Sequence, residues 1–495
     1  MLDKKIVTSS LLFTFIRYLN LFIGFLRTTF VALTLSKNNM GELVIIYLII
    51  EYMSYLFSLG LPNSINLQAS IDKNKFKNYS FKNLRIQKFY SIFFFIIFIS
   101  SLVTYLLFYL ASNIYYEFLK ESFVNHYNKI FIVIFLMAIK NFSNNHNRLW
   151  EKNISLILSD LVLALIYFFG LYFLLEKNLD DPIGIILKVI IFSQFCSILV
   201  ANLRISFGHI VRFDRENLLK LFPLGFMLLL QNMMELYFWG IDRLFISFYL
   251  SNENLASFHL AHTYARGLMV FFAAGTFLIY PRLLTTLSSL TTSRLEIKQI
   301  IDKAFTVSET ILVSAFLFFI STVPYLMNLI FQKYDNFFYI FILIMYGLII
   351  KSLTFFPVSF IVAKKKQKKL IANSFIFLLI LIILYTILYK FKIIINAEEF
   401  TLTATMIFLL FSIRIYQWSM FDLNQKRIFF MVLNRFWRLI SLYLIIFISY
   451  VLNLSQGTAI ICLIFITIII YFKFFVNNLK YSYSFIRNLY FSKNK

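Results

Sequence analysis

The chain has 495 residues, of which 60% are hydrophobic and only 14% are charged, and its mean hydropathy is +0.79. An average soluble domain has roughly 25% charged residues, so a soluble chain of this size could not bury so much apolar surface. The composition excludes a soluble protein and predicts an all-α polytopic membrane protein, because helices satisfy their own backbone hydrogen bonds in lipid. Cys196 and Cys462 both lie in apolar segments and predict neither a disulfide framework nor a metal site.

A transmembrane helix needs about 20 predominantly apolar residues, and this rule predicts about fourteen spans. The first apolar stretch is too long for the core of a signal peptide, so it is interpreted as a retained first span. The predicted spans in chain order are residues 9–34, 41–66, 89–112, 129–147, 154–176, 183–203, 221–250, 255–281, 304–331, 336–362, 370–389, 400–419, 436–452 and 457–475.

Basic residues in alternate loops predict the orientation of these spans. Cytoplasmic loops of membrane proteins carry an excess of lysine and arginine, so both termini are predicted to be cytoplasmic. The net charge of +24 is explained by anionic membrane lipids facing these loops, and it requires no nucleic acid. The basic clusters lie at residues 4–5, 73–88, 204–220, 294–303, 364–369, 426–438 and 480–495.

An internal repeat divides the chain into two halves. One fixed offset places "LSKNNMG" at 35–41 onto "LSNENLA" at 250–256 and maps span one onto span seven. Six intervening spans give both copies the same orientation, which predicts two six-helix lobes related by pseudo-twofold symmetry about the membrane normal. The predicted parts are an N-lobe (1–206), a cytoplasmic linker (207–218), a C-lobe (219–421), and two additional helices with a basic cytoplasmic tail (422–495).

Polar side chains form stripes inside the predicted spans. Arg17, Asn20 and Arg27 lie on one face of span one, and Glu235 and Asp242 share a face of span seven. A charge at such depth is costly unless it pairs or faces water. These stripes therefore predict that each lobe points one polar helix face away from lipid.

Two interpretations of these charges remain open. They pair structurally, Arg27 with Asp242 and Glu51 with Arg266, or they line a hydrated cavity. Asp242 and its neighbour Arg243 project in directions about 100° apart and are expected to have separate partners. A cavity with more cations than carboxylates suits an anionic substrate. Its predicted lining comprises Arg17, Arg27, Arg243, Arg266, Lys351, Glu51, Glu235 and Asp242, while Lys188 and Asp160 are expected to face other helices.

The motifs around the second half of the repeat have a familiar pattern. Pro223, "IDR" at 241–243, "LSNENLASFHLA" at 250–261 and Pro281 follow one another, and "YLFSLGLPNSI" at 55–65 ends span two. Together these segments resemble the polysaccharide-unit (O-antigen-unit) flippases of the multidrug/oligosaccharidyl-lipid/polysaccharide (MOP) exporter superfamily.

The resemblance implies a transporter and not an enzyme. Such a protein moves a polyprenyl-pyrophosphate-linked oligosaccharide from the cytoplasmic to the outer leaflet of the bacterial plasma (inner) membrane, by alternating access. It implies no cofactor, leaves proton or sodium coupling open, and adds polysaccharide assembly proteins to the expected partners. The expected contacts of the pyrophosphate and sugar head group are Arg17, Arg27, Arg266, Arg243, Lys351 and Asn20. The expected coupling-ion or gating residues are Glu51, Glu235 and Asp242.

Two other functions stay open at this point. A drug/cation antiporter of the same fold would favour an acidic or aromatic cavity. A membrane oligosaccharide polymerase or glycosyltransferase would need a large catalytic outer loop, whereas the longest predicted outer segment, 113–128, is short. Its Glu117, Glu121 and His126 are expected to lie in a solvated loop. His259 and His262 in span eight are expected to make packing hydrogen bonds, with a pH-sensing role as the alternative.

Overall fold

The computed structural model confirms the predicted all-α polytopic membrane fold. In the part of the chain that it describes, nine helices are long and apolar enough to cross a membrane, and shorter apolar helices occupy Tyr18–Thr34 and Gln456–Phe472. The described residues are 4–58, 101–103, 105–106, 109, 121–149, 153–175, 180–202, 215–267, 294–332, 334, 337–363, 366–420 and 427–491.

The chain forms two compact units, Leu2–Leu236 (the first unit) and Tyr237–Lys495 (the second unit). The boundary falls inside one helix, α6, and the four-part division predicted from the sequence stays a prediction. The first unit contains α1 (Lys4–Thr34), α2 (Lys37–Ser58), α3 (Glu121–Leu149), α4 (Asn153–Leu175), α5 (Pro182–Asn202) and the beginning of α6 (Arg215–Tyr249). The second unit contains the end of α6, α7 (252–267), α8 (Arg294–Ile330), α9 (Phe337–Ala363), α10 (Gln367–Lys390), α11 (Ala397–Met420), α12 (Arg427–Val451) and α13 (Gln456–Phe491).

The predicted spans and the observed helices coincide in order and differ in length. Every predicted span except 89–112, which falls largely outside the described residues, overlaps a described helix. Helix α3 begins at Glu121 and not at 129, α12 begins at Arg427 and not at 436, and α13 continues to Phe491. Hydropathy detects only the apolar window, whereas backbone hydrogen bonding continues the helix into polar residues at its ends. Glu121 and His126 are therefore helical and do not belong to the expected loop, and Glu117 lies outside the described residues.

The internal repeat is visible in the caps of two helices. Ser36 precedes α2, and its Oγ accepts the backbone N–H of Asn39 at 3.2 Å. Ser251 precedes α7, and its Oγ accepts the backbone N–H of Asn254 at 3.4 Å. A serine in this position satisfies a backbone donor that the first turn of a helix leaves free. The matching "LS" dipeptides are thus the starts of α2 and α7.

In the first unit, α4 and α5 pack closely because small residues line their contact. The Ser159 and Ser197 hydroxyls lie 2.8 Å apart, and each also contacts the other's backbone carbonyl oxygen at 2.9 Å. Lys140 on α3 pairs with Asp160 on α4 at 3.0 Å. Asp160 therefore faces another helix, as predicted, and the pair compensates two charges that lipid would penalise.

Gly170 on α4 faces Val189 on α5 so closely that no side chain fits between them. A Cβ atom at position 170 would lie 2.8 Å from Val189 Cγ1. Gly170→Ala is expected to lower the free energy of unfolding by about 1–3 kcal/mol, the usual range for overpacking, measured by equilibrium unfolding in mixed micelles. Gly457→Ala is the matched control because its Cβ meets no atom within 4 Å. Adding Val189→Ala to the Gly170 variant should restore most of the lost stability, and equal effects at 170 and 457 would contradict the packing argument.

In the second unit, tyrosine hydroxyls join helices by bonding to backbone carbonyl groups. Tyr346 on α9 donates to the Leu439 carbonyl oxygen of α12 at 2.9 Å, and Tyr385 on α10 donates to that of Phe400 on α11 at 2.9 Å. Both tyrosines are fully buried. Because a buried hydroxyl needs a partner, these bonds fix the positions of the helices around α9.

A buried ion-pair cluster, the Glu309 cluster, joins α8 to the last two helices. Glu309 is fully buried, and its carboxylate lies 3.2 Å from Arg435 Nη1 and 3.3 Å from Arg438 Nε. The Tyr471 hydroxyl of α13 donates to the same carboxylate at 3.2 Å. The sequence had counted both arginines in the basic cluster at 426–438, with Arg435 outside the predicted span 436–452. The loop placement was wrong for Arg435 because α12 begins at Arg427, and both arginines pair with the Glu309 carboxylate of α8.

Candidate functional site

In the first unit, Arg27 of α1 is held by tyrosines of two other helices. Its guanidinium carbon lies 4.3 Å from the ring centroid of Tyr167 on α4. The Tyr167 hydroxyl is hydrogen-bonded to that of Tyr47 on α2 at 2.6 Å. A cation over an aromatic face is stabilised by the ring's negative face. Arg27 is half-buried, and its guanidinium group packs on the Tyr167 ring.

The other predicted site residues of the first unit differ in their exposure to solvent. Asn20 is half-buried on α1, and its Oδ1 is buried and accepts no hydrogen bond from any described residue. Glu51 is half-buried on α2, where its backbone carbonyl oxygen accepts a hydrogen bond from Ser54. Glu235 is exposed on α6. Arg17 belongs to α1, and its side chain lies outside the described residues.

In the second unit, Asp242 and Arg243 are both buried, each only 6% exposed. They lie on α6 about two turns before its end at Tyr249. The Asp242 Oδ1 accepts the backbone N–H of Arg243 at 2.9 Å. Two ionisable groups removed from water in a membrane helix indicate a polar interior site, since lipid contact would penalise both charges.

Lys351 of α9 adds a second cation close to Asp242. Arg243 and Lys351 both act electrostatically on the Asp242 carboxylate. The Lys351 ammonium group also lies 5.6 Å from the ring centroid of Trp239, one turn before Asp242 on α6. Trp239 packs in turn against Phe408 of α11, with ring centroids 4.5 Å apart. Helices α6, α9 and α11 therefore build this site together.

Helix α7 contributes Arg266 and His262 to the same region. The His262 ring interacts electrostatically with Arg243, Arg266 and Lys351. His262 also stacks on Phe258, with ring centroids 6.2 Å apart. Arg266 is exposed at the surface of α7. We call Asp242, Arg243, Arg266 and Lys351, together with Trp239 and His262, the cationic cluster.

The cationic cluster brings together the four site residues that the sequence predicted for the second unit. Its three basic side chains outnumber the single carboxylate, so its net charge is positive before histidine is counted. Such a site can attract and hold an anion by charge-assisted hydrogen bonds. Groups of three or more metal-ligating side chains are absent from the described residues.

Sequence reasoning missed several members of these sites. Trp239 and Tyr167 are single aromatic residues among many, and composition gives no reason to choose them. Glu309 sits one turn from polar residues of α8 and could have been found as a carboxylate inside a predicted span. Lys188 was expected to face another helix, but it is exposed on α5, so that expectation was wrong.

The comparison with known families decides the classification. A family model described as "Polysaccharide biosynthesis protein" matches residues 30–337, more than half of the chain. The chain belongs to the polysaccharide biosynthesis protein family. The matched region of this polysaccharide biosynthesis protein extends from α1 to the start of α9 and includes most of the cationic cluster. No reviewed protein sequence matches the chain significantly.

Solved structures share the fold of this polysaccharide biosynthesis protein. The lipid II flippase MurJ in an inward closed conformation aligns with a TM-score of 0.59 and 14% identity, covering 95% of this chain and 100% of MurJ. A MATE transporter in the bent conformation aligns with a TM-score of 0.55 and 10% identity, covering 83% of this chain and 92% of that transporter. An outward-facing multidrug resistance MATE transporter of the MOP superfamily aligns with a TM-score of 0.55 and 11% identity, covering 83% of this chain and 94% of that transporter. The family match confirms the predicted resemblance to a polysaccharide biosynthesis family, and the structural matches show that the chain shares its fold with MurJ and the MATE transporters.

Proposed function

We propose that this polysaccharide biosynthesis protein flips a polyprenyl-pyrophosphate-linked oligosaccharide across the membrane by alternating access. The observation that carries the proposal is the positive excess of the cationic cluster inside a membrane-spanning unit. Holding cations such as Arg243 and Lys351 in membrane-spanning helices costs free energy, and an anionic ligand would offset part of that cost. The family match and the MurJ-like fold support a lipid-linked saccharide as that ligand.

The cationic cluster offers a chemically distinct group for each part of such a head group. The planar guanidinium groups of Arg243 and Arg266 can each donate two hydrogen bonds to phosphate oxygens. Lys351 supplies a compact charge that moves more freely. Trp239 presents an aromatic ring beside that charge, where the apolar face of a sugar can pack. In the first unit, Arg17, Arg27 and Asn20 are also proposed as contacts of a pyrophosphate and sugar head group.

Asp242 is our leading candidate for coupling or gating. Its carboxylate competes with an anionic substrate for Arg243 and Lys351, so substrate release can be completed when Asp242 attracts these cations again. The half-buried Glu51 and the exposed Glu235 are the other candidates. Binding of a proton or sodium ion at a carboxylate would change this competition.

The predicted surroundings of the protein follow from the same function. We place it in the bacterial plasma (inner) membrane, with both termini in the cytoplasm. The substrate is made on the same, cytoplasmic side of that membrane. Its partners are the lipid-linked oligosaccharide, the surrounding lipids and proteins of polysaccharide assembly. None of these roles requires a cofactor or an enzymatic step.

The test is complementation in the bacterium that makes the protein. The gene is deleted, and surface polysaccharide and lipid-linked precursors are measured after restoring the wild type, Arg266→Ala, Arg27→Ala or Arg17→Ala. Deletion should abolish surface polysaccharide while precursors accumulate inside the cell, and the arginine variants should restore less than a tenth of it, because a lost charge-assisted hydrogen bond weakens binding by about tenfold or more.

Lys303→Ala is the control, because Lys303 is exposed on α8 and outside the cationic cluster. It should restore polysaccharide fully at equal membrane abundance. Unchanged polysaccharide after deletion would refute flipping of this substrate. Efflux of cationic dyes by the restored wild type would instead favour a drug/cation antiporter, in line with the similarity to a multidrug resistance MATE transporter.

A further inference from the structure

An apolar groove of about 670 Å³ runs along the surface of the first unit between α4 and α5. It lies outside every site described above. Its volume falls within the range of roughly 300–1,000 Å³ that is typical of small-molecule sites. The close contact of Gly170 with Val189 forms its floor. Its walls are the side chains of Leu165, Ile166, Phe169, Phe173, Leu174 and Phe192.

Lys188 is the single charged residue among the described residues that line the groove. It is exposed on α5, six residues after the helix begins at Pro182 and therefore about 9 Å along the axis. Among the described residues it makes no ion pair, in contrast to Lys140, which pairs with Asp160. A lysine at this depth in a spanning helix needs a counter-charge or must reach the membrane surface.

The aromatic walls suit a hydrocarbon chain. Phe169, Phe173 and Phe192 are 49%, 60% and 60% exposed, so they stand away from the helices and leave the groove open to the bilayer. A chain lying between them would contact ring faces on both sides. Its polar end would then lie beside the Lys188 ammonium group.

We propose that this groove binds an anionic glycerophospholipid of the surrounding bilayer, with one acyl chain between the phenylalanines and the phosphate on Lys188. Charge complementarity selects the occupant, because one cation in an apolar groove matches one phosphate on an apolar chain. The site is independent of the flippase function, since no residue of the cationic cluster lines it.

The test uses the full-length protein in nanodiscs with photo-crosslinkable phosphatidylglycerol or phosphatidylcholine probes of identical acyl chains. Crosslinked peptides are mapped and quantified. The phosphatidylglycerol probe should label residues 165–174 and 188–192 about fivefold more than the phosphatidylcholine probe, the ratio expected for one lysine–lipid interaction. Lys188→Gln should abolish this preference, and Ile166→Trp, which fills the groove, should remove labelling by both probes.

Lys390→Gln is the matched control, because Lys390 is an exposed lysine at the end of α10 and does not line the groove. Its labelling should equal that of the wild type. Equal labelling by both probes in the wild type, unchanged by Lys188→Gln, would overturn the site. Displacement of phosphatidylglycerol by an equimolar polyprenyl phosphate would also overturn the proposal, because the groove would then belong to the transported substrate. These results do not depend on transport, so the flippase function can fail while the lipid site stands.

Discussion

Glu309→Ala is expected to lower the free energy of unfolding by about 3–5 kcal/mol, the usual loss when one partner of a buried ion pair is removed. Glu309 is fully buried and neutralises both Arg435 and Arg438. Its removal leaves two guanidinium groups inside the helix packing without their carboxylate. The measurement is equilibrium unfolding of the purified protein in mixed detergent micelles, compared with the wild type.

The matched control lies in the same cluster. Asp302 also pairs with Arg435, at 3.2 Å, but its side chain is 51% exposed. Asp302→Ala should therefore cost about 1 kcal/mol or less, as exposed pairs do. Adding Arg438→Gln to Glu309→Ala should recover part of the loss, since one uncompensated charge disappears. Equal losses for Glu309 and Asp302 would show that the buried cluster has no special role in stability.

Lys351→Gln is expected to reduce the rate of lipid-linked oligosaccharide flipping at least tenfold while leaving the unfolding midpoint within a few degrees of the wild type. A hydrogen bond to a charged group contributes about 1.5–3 kcal/mol, and about 1.4 kcal/mol corresponds to a tenfold change in rate. Arg243→Gln should act in the same direction. The measurement is head-group accessibility in proteoliposomes that contain a fluorescent polyprenyl-pyrophosphate oligosaccharide.

Two further variants separate charge from geometry. Arg243→Lys keeps the positive charge but loses the planar fork of the guanidinium group, so it should flip faster than Arg243→Gln and slower than the wild type. Lys303→Gln, outside the cluster, should stay within about twofold of the wild type, the effect of a screened surface charge. A wild-type flipping rate in the Lys351→Gln variant would show that the cationic cluster is not part of the substrate path.

The last two helices belong to the compact second unit because of specific contacts as well as apolar packing. Arg438 of α12 lies 3.8 Å from the ring centroid of Phe474 on α13, and it also pairs with Glu309 of α8. The Tyr339 hydroxyl of α9 donates to backbone carbonyl groups at both ends of the turn between α12 and α13. A conformational change of the second unit would therefore carry α12 and α13 with it.

The sequence predicted membrane insertion, the order of the spans and the local repeat. These properties depend on apolar runs and on short motifs, because hydropathy and helix capping are set by residues that are close in sequence. Ser36 and Ser251 show this well, because a serine before an apolar helix caps it wherever it occurs. The helical period also places Glu235 and Asp242 on one face of α6, where the structure exposes Glu235 and buries Asp242.

Only the tertiary structure decided which charges meet. The sequence shows that Asp242, Arg243 and Lys351 lie inside apolar helices, but their proximity depends on how α6 packs against α9, more than a hundred residues later. Arg435 looked like a loop residue until Glu309 of α8 was placed beside it, and Lys188 looked like a packed residue until α5 was seen to expose it. Hydropathy depends on the composition of single segments, whereas ion pairs and grooves depend on distances between segments. The sequence by itself thus determined that this protein crosses a membrane and in what order its spans follow one another. The packing of its helices decided which charged side chains lie close together.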